Sequence, residues 1–214
     1  MNEQIPLANT IIEAETSRFG RRDAAENRRR LLETAERLFA QYGVEAVNMA
    51  DVALEAAVGK GTLYRNFANK GELCLALMDT QLKEFQDQQL ARMRQMAEER
   101  VPYLEQLGEF LESLVAFTEI HMPLLCEVQQ YSESLDAGDV QRPHYWQYMT
   151  VYGLLRKAVE AGELPEDLDR AYMAEALLAP LAVHTFRFQR QTHNFSLDRI
   201  SAGLRTLLDG LGRL

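Results

Sequence analysis

Six clustered residues carry the types of group that recognition chemistry needs: Lys60, Gly61, Thr62, Tyr64, Arg65 and Asn66. Lys60 and Tyr64 are four apart, as are Gly61 and Arg65, so at helical spacing each pair shares a face. That surface offers two cations, two hydroxyls and an amide, with a glycine where a partner can come close to the backbone. Arginine and lysine donate to guanine O6 and N7, asparagine pairs with adenine N6 and N7, and hydroxyls bond phosphate oxygens. The set therefore suits the major groove of duplex DNA. It also suits a plain solvated helix face, and spacing alone does not separate the two.

A reading surface needs elements that hold it still, and the flanking sequence supplies them. Leu31, Leu32, Ala35, Leu38, Phe39 and Tyr42 recur at the period of one helix face, which stops at Gly43, a good left-handed cap. Asn48 opens a second short helix with Met49, Val52, Ala53 and Ala56 inward and Asp51 favouring its N-terminus. A break at Ala57-Val58-Gly59 leads into a third helix from Lys60 to Asn66, with Val58, Leu63 and Phe67 as inward residues. Asn69-Lys70-Gly71-Glu72 has capping-box spacing and starts a long helix to about Glu98. Helices this short are unstable singly, and packed as a tripod they bury one shared core.

The remainder also reads as helical, with no convincing strand alternation and no internal repeat. Pro102 fits the first turn of a helix to about His121, and Pro123 predicts a break before a short helix from Leu124 to Glu133. A turn-rich stretch runs from Asp136 to Pro143, followed by a helix from His144 to Ala161. Asp167 or Asp169 caps a long helix to about Gln191, kinked at Pro180. Ser196 caps the last helix, with an apolar stripe of Ile200, Leu204, Leu207, Leu208 and Leu211. The expected fold is all-α: a flexible leader over 1–24, a three-helix helix-turn-helix DNA-binding domain over 25–70, and a helical-bundle effector-binding and dimerisation domain over 71–214.

The formal net charge of −9 is unevenly spread. Residues 17–70 hold ten Lys or Arg against seven Asp or Glu, whereas residues 71–214 hold thirteen against twenty-two. The positive excess falls where a DNA reader would lie, and phosphates would repel the acidic remainder. Arg18, Arg21, Arg22, Arg28, Arg29 and Arg30 form a basic stretch before the first helix. It reads as either a solvated stretch or an arm along the phosphates or minor groove. No apolar run approaches the length of a membrane span, and no signal-peptide pattern opens the chain, so a cytoplasmic location is expected. Cys74 and Cys126 are expected as free, buried thiols.

The stretches LLETAERLFAQYG and MADVALEAAVGKGTLYRNFANKGEL, within residues 28 to about 78, closely resemble the N-terminal domain of the TetR family of bacterial repressors. The resemblance implies an all-α homodimer with two DNA heads and an effector pocket in a larger C-terminal domain, released from its operator by a small molecule. By the same resemblance, Lys60, Gly61, Arg65 and Asn66 reach base edges and Thr62 and Tyr64 hold phosphates. Asn48 and Lys70 match further phosphate-contacting positions. Two departures stand out. Ala57 replaces the usual turn glycine, costing roughly 1 kcal/mol if left-handed, and Gly59 replaces the usual Ser or Thr cap.

Aromatics and methionines with polar tips crowd the stretch from Phe117 to Tyr152, which suits the lining of a small-molecule cavity as well as an ordinary core. The expected ligand-binding residues are Phe117, His121, Tyr131, Trp146 and Met149. In the TetR family the last two helices form a four-helix bundle across the dimer axis. The resemblance thereby places Leu177, Leu181, Phe188, Ile200, Leu204, Leu208 and Leu211 at a homodimer interface. The four histidines have no metal-ligand spacing, so neither a metal nor a cofactor is expected. No nucleophile elbow, phosphate loop, zinc signature or dinucleotide fingerprint is present, which argues against an enzyme. The expected partners are double-stranded operator DNA, an unidentified small-molecule effector and a second copy of the chain, with no membrane. A ligand-independent dimer that organises DNA is the alternative.

Overall fold

The structure, a computed structural model, describes the backbone of residues 7–132 and 142–212 and the side chains of 23–131 and 144–212. Its elements are α1 (Leu7–Tyr42), α2 (Met49–Glu55), α3 (Lys60–Asn66), α4 (Lys70–Glu98), α5 (Tyr103–Ser132), α6 (Arg142–Glu160), α7 (Arg170–Leu178), α8 (Val183–Gln191) and α9 (Leu197–Leu211), with one 3₁₀ turn at Ala179–Leu181. Among the described residues every regular element is helical, and no helix is long and apolar enough to cross a membrane. The chain divides into two units inside α4, between Leu77 and Met78, rather than at residue 70.

The first unit is closed by local chemistry. Gly43 takes φ 85° and its N–H returns to the Phe39 carbonyl at 2.9 Å, which ends α1. Asn48 accepts from the N–H groups of Ala50 and Asp51, while the Asp51 carboxylate accepts from the Asn48 N–H, a complete capping box for α2. Leu31, Ala35, Val52, Leu63 and Phe67 are almost wholly buried in the shared core of α1, α2 and α3. The same core includes Met49, Ala53 and Ala56.

α2 ends in a Schellman motif. The Val58 N–H reaches the Ala53 carbonyl at 3.0 Å and the Ala57 N–H reaches Leu54 at 3.1 Å, with Ala57 at φ 52°. A Cβ in this region costs about 1 kcal/mol, so the turn carries the expected strain. Gly59 is the N-cap of α3 and supplies no side-chain bond. Asn69 caps α4 through the Glu72 N–H at 3.0 Å, and the Glu72 carboxylate accepts from Ala68.

In the second unit α5 is the central element, packed by α6, α8 and α9. Its buried residues include Leu107, Phe110, Leu111, Leu114 and Val115. The first N–H groups of α5 are capped from a distance: the Glu163 carboxylate accepts from Tyr103 at 2.9 Å and Leu104 at 2.8 Å. Two bidentate pairs brace the unit, Arg92 with Glu109 and Arg190 with Glu119.

Helix α1 extends back to Leu7, into the segment read as a leader over 1–24, and residues 1–6 lie outside the described residues. Three sequence expectations need correcting here. Pro123 does not end a helix but sits inside α5. It removes one backbone donor, yet Phe117 and Val128 on either side are buried, so the same helix is packed before and after it. Pro180 does more than kink: the helix closes as a 3₁₀ turn, Ala182 is extended at ψ 136°, and α8 starts afresh. Cys74 is buried, but Cys126 is only half-buried, 3.8 Å from the Met122 sulfur. The expected turn over 136–143 lies outside the described residues, apart from the backbone of Arg142 and Pro143 at the start of α6.

Candidate nucleic-acid interface

α3 is split by environment along its short length. Leu63 faces inward at 0% exposure, while Lys60, Gly61, Tyr64 and Arg65 are exposed and Thr62 is half-exposed. Tyr64 is 53% exposed, which leaves its ring and hydroxyl available to a partner. A Cβ built at Gly61 meets nothing within 4 Å, so no neighbour within the chain requires a glycine there. The Arg65 guanidinium folds back along its own helix, donating to the Thr62 hydroxyl at 2.9 Å and the Gly61 carbonyl at 3.2 Å. Both bonds are exposed, so water or DNA can replace them at small cost.

The remaining expected contacts fare differently. Asn48 is exposed, but its oxygen is committed to the α2 cap, which leaves the amide N–H₂ as its outward donor. Lys70 is half-exposed on the first turn of α4. Asn66 is half-buried and turned back: its amide donates to the Thr62 carbonyl at 2.8 Å, and its own carbonyl accepts from Arg28 at 3.1 Å. These bonds engage Asn66 in closing α3, which leaves it less free to reach a base than Lys60 or Arg65.

The basic stretch expected before the first helix lies within α1 and has a role that sequence reasoning missed. The Arg28 guanidinium lies 4.3 Å above the Phe67 ring as well as bonding Asn66, and Arg30 donates to the Ala56 carbonyl. Both arginines therefore sit at helix C-termini, where unpaired carbonyls and the negative dipole end favour a cation. Arg29 is held between Glu26 and Glu33 at 2.6 Å each. The phosphate-following arm thus loses these three guanidinium groups to the fold. The side chains of Arg18, Arg21 and Arg22 lie outside the described residues. A sequence signal existed: Arg28 precedes Leu31 by three, so it falls beside the buried face of α1.

In the second unit the structure joins three of the five expected ligand-binding residues. Phe117 stacks on His121 with centroids 4.3 Å apart and on Phe85 at 4.5 Å, and Phe85 and Phe110 both meet the Trp146 ring edge-on at 6.1 and 5.7 Å. Phe85 and Phe110 were not anticipated. Burial pushes the His121 imidazole below its ordinary range, which favours the neutral ring near neutral pH. Tyr131 lies about three turns further along α5, and Met149 is 45% exposed on α6, so neither joins this cluster.

The expected interface set divides sharply. Leu177, Leu181, Ile200, Leu204 and Leu208 are already buried within the single chain, with α9 lying against α5. Within the single chain these leucines and the isoleucine fill the core of the second unit. Phe188 at 47% and Leu207 at 52% are exposed, and Leu211 is half-exposed.

Comparison with known proteins places this geometry. Residues 31–77 match the family described as bacterial regulatory proteins, tetR family. An HTH-type transcriptional regulator of Staphylococcus aureus strain MRSA252 is 28% identical over 178 residues, covering 83% of this chain and 90% of that relative. A protein described as a transcriptional regulator from Saccharomonospora viridis, in complex with choline, has the same fold with a TM-score of 0.68 at 22% identity, covering 86% of this chain and 96% of its own. Thermus thermophilus FadR, a TetR-family repressor in complex with lauroyl-CoA, superposes with a TM-score of 0.62 at 19% identity, covering 85% and 92%. The helix-turn-helix with its polar α3 and the all-helical second unit are thus those of a known kind of protein: the N-terminal unit is a TetR-family DNA-binding domain, and the chain that carries it is a helix-turn-helix transcriptional regulator.

Proposed function

We propose that the chain acts in the cytoplasm as a homodimer that reads a two-fold operator with its paired α3 helices and leaves it when a small molecule binds the second unit. The observation that carries this reading is α3 itself. Its inward residues are committed to the core, while Lys60, Gly61, Thr62, Tyr64 and Arg65 are presented outward with groups that match base edges and phosphates. Asn48 and Lys70 flank them as phosphate contacts, and Asn66 plays the lesser part that its inward bonds allow. Regulation has no enzymatic step in this scheme; binding energies do the work.

Dimerisation uses the outward sides of the last two helices, which leave Phe188 on α8 and Leu207 on α9 exposed and Leu211 half-exposed. Exposed large apolar side chains on adjacent elements favour association, and a two-fold partner sets the half-site spacing at about 34 Å, one turn of DNA. The effector site is the aromatic cluster of Phe85, Phe117, His121 and Trp146. Similar folds that hold choline or lauroyl-CoA support a small organic effector. α4 starts at the phosphate-contacting Lys70 and continues to Glu98, carrying Phe85. It is the segment through which ligand binding would bias the reading heads.

Selection from a random DNA pool tests the reading. A pseudo-palindrome with half-sites about one helical turn apart is expected, protected by one dimer in footprinting. Binding without sequence enrichment would favour the DNA-organising alternative and overturn operator reading.

A further inference from the structure

A cleft of about 360 Å³ runs between α4 and α5 within the second unit, beside the aromatic cluster. Its walls include the rings of Phe85, Phe117 and His121, the Gln88 amide and the Ile120 side chain, which is 72% exposed. Glu84 is the one lining residue with a formal charge, and no lysine or arginine lines the cleft. Burial lowers the His121 pKa, which disfavours a positive charge there. Arg92 and Arg190 of the same unit are each engaged by a carboxylate, Glu109 and Glu119.

From this lining we infer that the effector is a compact organic cation with an aromatic or branched apolar body, and that Glu84 sets its charge. The apolar body is required because filling the cleft covers Phe117, Phe85 and Ile120, which return free energy only to apolar surface. The sign of the charge follows from the lining. A cation near Glu84 is attracted, and ring faces favour it further. A fatty carboxylate or a phosphorylated thioester would bring negative charge to a carboxylate with no base to offset it. The volume lies near the lower end of small-molecule sites, about 300–1,000 Å³, which also favours a compact ligand.

The inference rests on the effector-controlled reading above, but its test does not need DNA. Tetraphenylphosphonium and tetraphenylborate share one shape and carry opposite charges. Titrating each into the full-length protein while following the single tryptophan, Trp146, gives two dissociation constants. The phosphonium is expected to bind at least about tenfold more tightly than the borate, as one carboxylate attracts the first and repels the second. Glu84→Gln should reduce that preference to about twofold or less, and Ala116→Lys, which places a base on an exposed lining position, should reverse it.

Equal or tighter borate binding by the unaltered protein would overturn the inference. So would an unchanged preference in Glu84→Gln, or no Trp146 response to either ion. Thermal melts of both variants check that each is folded. Failure of DNA selection would sink the regulator reading and leave this titration standing, whereas release of a selected operator by the borate alone would do the reverse.

Discussion

Replacing Gly61 with alanine should move stability and DNA affinity in opposite directions. The position is the second residue of α3, has no positive φ, and leaves a new Cβ with nothing inside 4 Å. A helical Gly→Ala change is worth roughly 0.5–1 kcal/mol, and the first turn argues for about 0.5. For a unit of this size that raises the thermal midpoint by about 2–4 °C. On DNA the balance reverses, because the methyl enters the space that a base edge or sugar would fill. Inserting a methyl into a packed contact costs about 1–3 kcal/mol. A homodimer meets the penalty twice, so even about 1.4 kcal/mol per head weakens operator binding roughly a hundredfold.

The assay pairs a thermal melt with fluorescence anisotropy on the selected operator and on a mixed-sequence duplex at one salt concentration. Binding to the mixed duplex rests on phosphates and should fall much less than operator binding. An operator affinity equal to that of the unaltered protein would refute the close approach of DNA to this backbone. A lowered midpoint would refute the premise that the position is open.

Three further outcomes are expected. Arg65→Ala should cost about 1–3 kcal/mol per half-site and relax preference at one base pair, while Lys70→Ala should weaken all sequences alike and flatten the salt dependence by about one phosphate contact; footprinting and salt titration separate them. Leu207→Glu should give folded monomers by sedimentation, whereas Leu204→Glu, at a buried position, should lower the melting temperature first, because an unpaired charge there costs several kcal/mol. Ala57→Gly should stabilise the N-terminal unit by about 0.5 kcal/mol in denaturant unfolding, since relief of about 1 kcal/mol of left-handed strain exceeds the added freedom of the unfolded chain.

What could be read from sequence was what is decided locally. The ends of α3 and α4 and the caps at Gly43, Asn48 and Ser196 follow from a few neighbouring residues, and each is found where its chemistry put it. The two internal prolines were misread because their outcome depends on tertiary packing. Both remove one donor, yet α5 stays packed on either side of Pro123, while the chain after Pro180 turns away at Ala182. The α9 stripe shows a related limit. A periodic apolar face states that something covers it, not whether the cover is the chain's own α5 or a second copy. The exposed Leu207, out of register with Leu204 and Leu208, was the residue that distinguishes the two.

The same distinction governs the charge balance of the first unit. A surplus of cations in a sequence is an upper bound on what DNA can meet, because guanidinium groups also satisfy helix ends. Arg28 and Arg30 spend their donors on the carbonyls that close α3 and α2, and Arg29 is neutralised by two glutamates. The outward cations of the helix-turn-helix are then chiefly Lys60 and Arg65, with Lys70 at the base of α4. Arg65 is itself held by Thr62 until a better acceptor arrives. Few presented cations on a rigid, internally stapled frame mean that specificity must come from where the groups sit more than from how many there are. Arg28 grips both Phe67 and the end of α3, so it helps fix the reading helix without being among the side chains that would touch DNA.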